Sequence, residues 1–143
     1  MAVGVGRARY LADTSALARL RVRVVADRLG PLIVEGAVAT CGTGILEVLY
    51  SARSGRDYRE IADLLEGMPR TSINDEVIDR ALRIQSELAA DGQHRGVSIP
   101  DLLLAAAAVE AGLTVLHYDS DFDRLAQAGD LRAEWVVPRG SID

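Results

Sequence analysis

The sequence predicts an α/β protein in which helices cover both faces of a mostly parallel sheet. Two observations lead to this prediction. Short apolar runs of strand length alternate with longer segments whose apolar residues recur at helical spacing, and turn signals separate the segments. Strands that alternate with helices form βαβ units, which build a parallel sheet with helices on both sides. The ligand crevice of such a sheet lies at the carboxyl ends of the strands, so the residues that follow the strands are the first functional candidates.

The predicted elements follow one another in a regular order. Apolar and β-branched runs predict strands over 7–12, 37–41, 70–73, 114–118 and 135–137. Apolar residues at helical spacing predict helices over 14–20, 22–29, 44–52, 57–65, 75–90, 100–111 and 122–127. Gly30 and Pro31 predict a break or kink after the second helix, which can resume as far as Glu35.

Length and composition fit one globular domain over residues 1–143. Of the 143 residues, 49% are hydrophobic and 26% are charged, which is the balance of ordinary globular proteins. The longest apolar run, over 102–109, is far shorter than the ~20 residues of a membrane helix, and the first residues lack the pattern of a secretory signal. We therefore expect a cytoplasmic protein that makes no membrane contact.

Charge and metal-binding residue types limit the possible ligands. The formal net charge of −5 by itself disfavours nucleic acid, although acids gathered around a divalent cation would invert the local charge. All basic residues are arginine, whose planar fork suits phosphate. The single cysteine, Cys41, is expected to be buried and inert. The two histidines, His94 and His117, lie far apart, so oxygen ligands would hold any metal.

Four acidic residues lie where the predicted crevice forms. Asp13 and Asp119 follow predicted strands, Asp101 opens an apolar helix, and Glu47 lies within a helix among apolar neighbours. Each has an alternative structural explanation. Asp13 and Asp119 could be helix N-caps, Ser98 and Asp101 have the spacing of a capping box, and Glu47 could lie on a solvent-facing stripe of its helix.

The four acids together favour a metal site over four separate structural roles. Like charges crowded into one crevice repel, and an ionised carboxylate among apolar side chains is costly unless it is paired or binds a metal. A hard divalent cation removes both penalties, and Mg²⁺ prefers carboxylate and water oxygens. Such an ion activates water and stabilises charge on phosphate oxygens, so the cluster indicates phosphodiester chemistry.

Four motifs that contain these acids occur in a characteristic order. They are Asp13-Thr14-Ser15, Glu47, Pro100-Asp101 ahead of an alanine-rich helix, and Tyr118-Asp119-Ser120-Asp121-Phe122. In this order and spacing the chain resembles the PIN-domain family and, more narrowly, the VapC toxins of bacterial toxin–antitoxin pairs. The resemblance runs from about residue 10 to the C-terminus. No single motif is specific, but their order and spacing together are.

The resemblance implies one PIN-like domain: a three-layer α/β/α sandwich around a parallel sheet of about five strands. It implies a Mg²⁺- or Mn²⁺-dependent endoribonuclease that cleaves structured RNA, often tRNA or rRNA. It also implies a VapB-like antitoxin that occupies the active site, and a homodimer.

The resemblance also assigns site residues. The catalytic acids correspond to Asp13, Glu47, Asp101 and Asp119. A further acid of the subgroup corresponds to Asp121, so that the implied metal ligands are Asp13, Asp101, Asp119 and Asp121. The hydroxyl that steadies the first aspartate corresponds to Thr14 or Ser15.

Two features depart from the family pattern. Gly42 and Gly44 precede Glu47 where the family usually carries better helix formers, and we expect them to loosen the start of that helix and the aim of Glu47. Residues 1–6 precede the first strand, where these toxins usually begin almost at once, and form an expected mobile extension.

Residues around the motifs carry weaker signals. His94 and Arg95 lie in the loop before the alanine-rich helix, and Arg124 follows the last motif, so these three are candidate RNA contacts. His117 alternates with its strand neighbours and is expected to be a hydrogen-bonded residue of the sheet face. Asp123 is expected to face solvent at the start of a helix.

Other functions compete with the toxin. One alternative is a PIN nuclease of RNA processing that has no antitoxin, and another is a PIN-like scaffold that binds without cutting. A response-regulator receiver also carries acids at strand ends, but it needs a lysine late in the chain, and this sequence contains no lysine.

Overall fold

A computed structural model describes residues 6–142. Its strands are β1 (Tyr10–Ala12), β2 (Val38–Cys41), β3 (Arg70–Thr71), β4 (Thr114–His117) and β5 (Ala133–Trp135). Its helices are α1 (Thr14–Leu17), α2 (Arg23–Val34), α3 (Gly42–Tyr50), α4 (Gly55–Glu66), α5 (Asp75–Ala90), α6 (Ile99–Ala111) and α7 (Asp121–Ala128). Except for Gly6, the predicted N-terminal extension lies outside the described residues.

The five strands form one parallel sheet in the order β3-β2-β1-β4-β5. The chain builds outward from β1 to β3 and then crosses back to add β4 and β5 on the other side of β1. The strand order therefore reverses between β1 and β4, and a crevice opens at the carboxyl ends of these two strands. The Asp13 backbone N–H donates to the Leu116 carbonyl oxygen at 2.9 Å, which ties the end of β1 to β4.

Helices cover both faces of the sheet, as predicted. Alternate strand residues point to opposite faces, so Leu11 and Val115 pack with α5, α6 and α7, while Ala12 and Leu116 pack with residues of α1, α2, α3 and α4. Helix α6 lies deep in the first layer, because its small residues Ala105–Ala108 are almost completely buried. The three-layer α/β/α sandwich with a parallel, five-stranded sheet is confirmed.

Local chemistry sets several helix boundaries. The side chains of Ser54, Asn74 and Ser98 accept hydrogen bonds from backbone N–H groups in the first turns of α4, α5 and α6. Gly112 ends α6 in the left-handed conformation, with a φ of 69°, which a residue without Cβ adopts at little cost.

Several predicted boundaries were wrong. Helix α2 runs through Gly30 and Pro31 to Val34 without the predicted break. Its buried residues Val25 and Leu29 anchor one face to the sheet, and this burial outweighs the one helical hydrogen bond that Pro31 cannot donate. Regular helix α1 stops at Leu17 instead of continuing to residue 20.

The strands also differ from the prediction in their bounds. β1 begins at Tyr10 instead of residue 7, β3 is two residues long, and β4 ends one residue early at His117. β5 begins two residues before the predicted position, because Ala133 to Trp135 pair in register with β4. None of the helices in the described part of the chain is long and apolar enough to span a membrane.

Candidate active site

The predicted acids meet at the crevice between β1 and β4, although they are distant in sequence. Asp13 follows β1 directly, and Asp119 lies two residues beyond the end of β4. Asp101 lies in the first turn of α6, and Glu47 lies in the middle of α3. The charges of Asp13, Asp119 and Glu47 all act on Asp101, so the four acids form one electrostatic group.

Three of the predicted acids are close enough to share one cation, and among the described residues Asp13 and Glu47 do not belong to this close group. Oxygen atoms of Asp101, Asp119 and Asp121 all lie within 4.8 Å of one another. Two of these residues come from the loop after β4 and the start of α7, and the third comes from α6. Three partly buried carboxylates at this separation repel one another unless protons or a cation are present. Their hard oxygen donors are those that Mg²⁺ and similar ions prefer.

Asp13 is the most deeply buried acid of the group, with 2% of its surface exposed. Its Oδ2 accepts hydrogen bonds from the Ser15 backbone N–H at 3.0 Å and from the Ser15 hydroxyl at 2.6 Å. Its Oδ1 is buried and has no hydrogen-bond partner among residues 6–142. Burial raises the pKa of Asp13, and the nearby Asp119 charge adds to the effect, against the hydrogen bonds from Ser15.

The unpartnered Asp13 Oδ1 fits a missing cation. A buried carboxylate oxygen without a partner normally carries a large desolvation cost. A divalent ion between Asp13 and its acidic neighbours would supply the absent partner and cancel their mutual repulsion. The donor set of this site therefore fits the ion that the resemblance implies.

The two predicted hydroxyls have different partners. The Ser15 hydroxyl donates to Asp13 and accepts the Tyr118 backbone N–H at 2.8 Å, so it bridges β1 to the segment after β4. The Thr14 hydroxyl instead donates to Glu47 Oε1 at 3.2 Å. Ser15 thus occupies the position that steadies Asp13, whereas Thr14 orients Glu47.

Asp101 has the most perturbed acid–base behaviour in the group. Burial, followed by the charges of Asp13 and Asp119, raises the pKa of Asp101 to about 7. Ser98 opposes this effect through a hydrogen bond, and its hydroxyl also accepts the Asp101 backbone N–H at 3.2 Å. The capping interaction between Ser98 and Asp101, which the sequence offered as an alternative to a metal site, is therefore present. It does not remove Asp101 from the cluster.

The loop after β4 is ordered by its own side chains. Asp119 Oδ1 accepts the Asp121 backbone N–H at 2.9 Å, and the Asp119 backbone N–H donates to His117 Nδ1 at 3.2 Å. Partial burial and then the Asp119 charge raise the pKa of Asp121, while Arg124 lowers it.

His117 is only partly what the sequence predicted. Its side chain is completely buried and faces the side of the sheet opposite to Leu116, as expected. It was predicted to have its hydrogen bonds satisfied, but its Nε2 has no partner among the described residues. Burial lowers the pKa of His117 despite the charges of Asp123 and Asp119, which favours the neutral ring that accepts at Nδ1.

Two aromatic residues near the site had no role predicted from the sequence: Phe122, which belongs to the last motif, and Trp135. The Phe122 ring stacks on His117, with centroids 5.0 Å apart and planes at 27°, and the Trp135 ring lies against it at the same distance. The Trp135 indole N–H donates to Asp123 Oδ1 at 3.2 Å, so Asp123 binds the indole instead of pointing only to solvent. Strand alternation placed His117 inward, but only the fold shows what covers it.

Of the three predicted RNA contacts, the structure shows only Arg124 beside an acid of the cluster. Arg124 Nη1 donates to the Gly96 carbonyl at 3.1 Å and lies 3.8 Å from Asp121. His94 and Arg95 are exposed in the loop between α5 and α6.

Two further sequence-based expectations concern the start of α3. Cys41 is buried, as predicted, and burial raises the pKa of its thiol, which disfavours the reactive thiolate. The helix begins at Gly42, so neither Gly42 nor Gly44 delays its start. Gly44 packs close to the Cys41 sulfur and Leu104, where a Cβ would make ordinary contacts.

The fold and the acid cluster define an α/β protein with a crevice lined by carboxylates, and comparison with known proteins narrows the class of protein. Residues 10–128 match the family model of the PIN domain. Ribonuclease VapC51 of Mycobacterium tuberculosis is 44% identical over 135 residues, which cover 94% of this chain and 98% of that protein. Ribonuclease VapC21 of the same species is 42% identical over 134 residues, which cover 93% and 97%.

A solved structure shares the fold. The DNA-bound VapBC structure from Salmonella typhimurium matches with a TM-score of 0.76 and 17% identity, over 91% of this chain and 99% of that chain. Because the family model matches residues 10–128 and the two VapC ribonucleases are 42% and 44% identical over nearly the whole chain, this chain belongs to the PIN-domain family and, within it, to the VapC proteins.

The pKa of Asp101 makes the stability of the metal-free protein depend on pH. Because this pKa is raised from 3.8 to about 7, the contribution of Asp101 to stability is present below about pH 4 and is lost as the pH rises through about 7. We expect Asp101→Asn to raise the melting temperature in EDTA at pH 8 by about 3 °C, a value that discounts the pKa shift for partial solvent exposure. At pH 5 the variant and the parent should melt within about 1 °C of each other. A variant that melts well below the parent at both pH values would contradict the proposed repulsion.

Proposed function

We propose that this chain is a metal-dependent endoribonuclease that acts as the toxin of a VapBC-type toxin–antitoxin pair. The observation that carries the proposal is the acid cluster, in which the buried Asp13 Oδ1 lacks a partner among the described residues. Mg²⁺ or Mn²⁺ is the proposed ion, because every donor in the cluster is a carboxylate oxygen.

The proposed metal ligands are Asp13, Asp101, Asp119 and Asp121. When bound, the ion supplies an activated water for attack on phosphorus and offsets negative charge on the phosphate. Ser15 keeps Asp13 Oδ2 occupied, which leaves Oδ1 as the oxygen that is available for a ligand bond. With a pKa near 7, Asp101 carries a proton for part of the time in the metal-free state and gives it up when the cluster is filled.

Glu47 has a different role in the proposed reaction. Its carboxylate is partly exposed and is held by the Thr14 hydroxyl at 3.2 Å. A carboxylate fixed at the edge of the cluster can orient a water molecule and accept its proton. We therefore assign Glu47 to water orientation and the four aspartates to cation binding.

RNA binding has to overcome the net charge of −5. Cation binding reduces the negative charge of the crevice. The proposed contacts with phosphate or base are Arg124, beside the cluster, and Arg95 and His94, exposed in the loop before α6. Arg124 is the best placed of these, because it already lies beside Asp121. Structured RNA, such as tRNA or rRNA, is the proposed substrate class.

The toxin role is favoured over the two alternatives. A non-catalytic scaffold is disfavoured, because all five predicted acids are present and the catalytic four interact electrostatically. A housekeeping nuclease is disfavoured, because relatives named VapC match this chain over nearly its whole length.

An apolar groove is the proposed antitoxin-binding surface. It has a volume of about 470 Å³ and lies between α1, α3 and α4. Its apolar lining consists of Leu17, Ala18, Leu20, Val48, Ile61, Leu64 and Leu65. Helix α1 begins directly after Asp13 and its other end lines the groove, so one short helix separates the groove from the acid cluster. We propose that an apolar segment of a VapB-like antitoxin occupies this groove and blocks the crevice.

A homodimer is proposed from a different surface. Leu46 and Tyr50 are 69% and 92% exposed and lie one turn apart on α3, where they form an apolar pair. Ile78 and Leu82 form a second exposed pair on α5. Exposed apolar pairs of this kind are typical of surfaces that are covered in an assembly. A second copy of the chain is the proposed cover.

The nuclease proposal predicts metal-dependent cleavage of RNA by the purified protein. Total RNA incubated with Mg²⁺ or with Mn²⁺ should yield discrete fragments, and EDTA should abolish them. Asp13→Asn should lower the rate by at least about a hundredfold while the protein stays folded, because it removes the charge of the central ligand. Gel analysis and mapping of the cut ends provide the measurement. A folded parent protein without metal-dependent cleavage would leave the non-catalytic scaffold as the better account.

The two surfaces predict separable effects on assembly. Tyr50→Asp should weaken self-association about tenfold or more, while antitoxin binding is unchanged. Leu64→Asp, in the groove, should weaken antitoxin binding and leave self-association unchanged. Sedimentation equilibrium of each variant, alone and with a candidate antitoxin encoded beside the gene, measures both. A monomeric parent protein, or a Leu64→Asp variant that binds the antitoxin normally, would contradict the respective assignment.

A further inference from the structure

His117 has a buried polar atom that the proposed reaction does not use. The side chain is 0% exposed, and its Nε2 has no hydrogen-bond partner among the described residues. An apolar residue of similar size would fill this position without the cost of burying an unpartnered nitrogen. Packing alone therefore does not explain why a histidine occupies position 117.

The other ring nitrogen provides the explanation. His117 Nδ1 lies 3.2 Å from the Asp119 backbone nitrogen and accepts its N–H. A neutral imidazole that accepts at Nδ1 carries its proton on Nε2, which is the atom left without a partner. The unpartnered Nε2 is thus the energetic cost of a tautomer in which Nδ1 can bind the Asp119 backbone N–H.

The ring itself is fixed in place. Phe122 stacks on it with centroids 5.0 Å apart, and Trp135 lies against it at 5.0 Å with an interplanar angle of 58°. His117 also pairs in register with Trp135 between β4 and β5. The Nδ1 acceptor is therefore held rigidly by the sheet and by two aromatic side chains.

This single hydrogen bond affects two of the clustered acids. It holds the backbone of Asp119, and Asp119 Oδ1 in turn accepts the Asp121 backbone N–H at 2.9 Å. Asp119 and Asp121 meet Asp101, which α6 supplies independently, within 4.8 Å. The three carboxylates therefore converge only if the loop after β4 holds Asp119 and Asp121 in place.

We propose that His117 is a positioning residue that aims Asp119, and through it Asp121, at the cation shared with Asp101. His117 itself contacts neither the cation nor RNA. The proposal rests on the proposed metal-dependent function, because it requires that the cluster bind a cation. It predicts that the Nδ1 acceptor, and not the bulk of the ring, is needed for cation affinity.

Two substitutions separate the acceptor from the ring. His117→Phe keeps an aromatic ring between Phe122 and Trp135 but has no acceptor. His117→Asn loses the ring but places an amide oxygen where Nδ1 lies. We expect His117→Phe to weaken Mn²⁺ binding by about tenfold or more, as loss of an outer-shell partner commonly does, and His117→Asn to stay within about threefold of the parent.

The measurement is titration of Mn²⁺ into the metal-free protein, with free Mn²⁺ followed by electron paramagnetic resonance, which needs no catalytic activity. Leu88→Ala serves as the stability control: it removes a buried core side chain on α5, leaves His117 and its two aromatic neighbours intact, and should lower the melting temperature while leaving Mn²⁺ affinity unchanged. If His117→Phe does not fold, His117→Gln replaces it, because its longer side chain moves the acceptor away from the Asp119 N–H.

The outcomes separate the two proposals. A parent protein that does not bind Mn²⁺ overturns the metal-dependent function and the role of His117 with it. A parent that binds Mn²⁺ together with a His117→Phe variant of equal affinity overturns only the role of His117. A His117→Asn variant as weak as His117→Phe also overturns it, since the ring rather than the acceptor would then be needed.

Discussion

The site is organised around one buried carboxylate. Asp13 enters the crevice directly after β1, and its backbone is tied to β4 through the Leu116 carbonyl. Ser15 satisfies one carboxylate oxygen and at the same time accepts the Tyr118 backbone N–H, so the two strands that border the crevice are joined through this acid. The other oxygen is buried and lacks a partner within the described chain. We propose that a cation shared with the surrounding acids is the partner of this oxygen.

The fold brings the other carboxylates to Asp13 through simple features of an α/β sheet. The reversal of strand order between β1 and β4 opens the crevice, and the carboxyl ends of both strands deliver an aspartate to it. Helix α6 can bring Asp101 close because Ala105–Ala108 are small and let the helix pack tightly in its layer. Burial and then the charges of the neighbouring carboxylates raise the pKa of Asp101 to about 7. In our proposal a bound cation offsets the mutual repulsion of these charges.

Much of this arrangement could be predicted from the sequence, because the spacing of apolar residues indicates the helices and strands, and the position of an acid relative to a strand indicates which end of the sheet it occupies. Alternation of strands and helices predicted the parallel sheet, and acids placed after strands predicted the crevice. The continuity of α2 could not be predicted from Gly30 and Pro31, since burial of Val25 and Leu29 outweighs their local preference. One sequence does not reveal side-chain contacts between distant segments. It could therefore not show that Thr14 binds Glu47 while Ser15 binds Asp13, or that Nε2 of His117 has no partner among the described residues.

The central claim is that Asp13 completes a cation site with the acids of α6 and of the loop after β4. A crystal structure of the protein grown with Mn²⁺, with an anomalous difference map at the manganese edge, tests it most directly. The account predicts a peak within coordination distance of Asp13 Oδ1 and of at least one carboxylate oxygen among Asp101, Asp119 and Asp121. A crevice without a peak, or a peak that leaves Asp13 Oδ1 outside coordination distance, would contradict it.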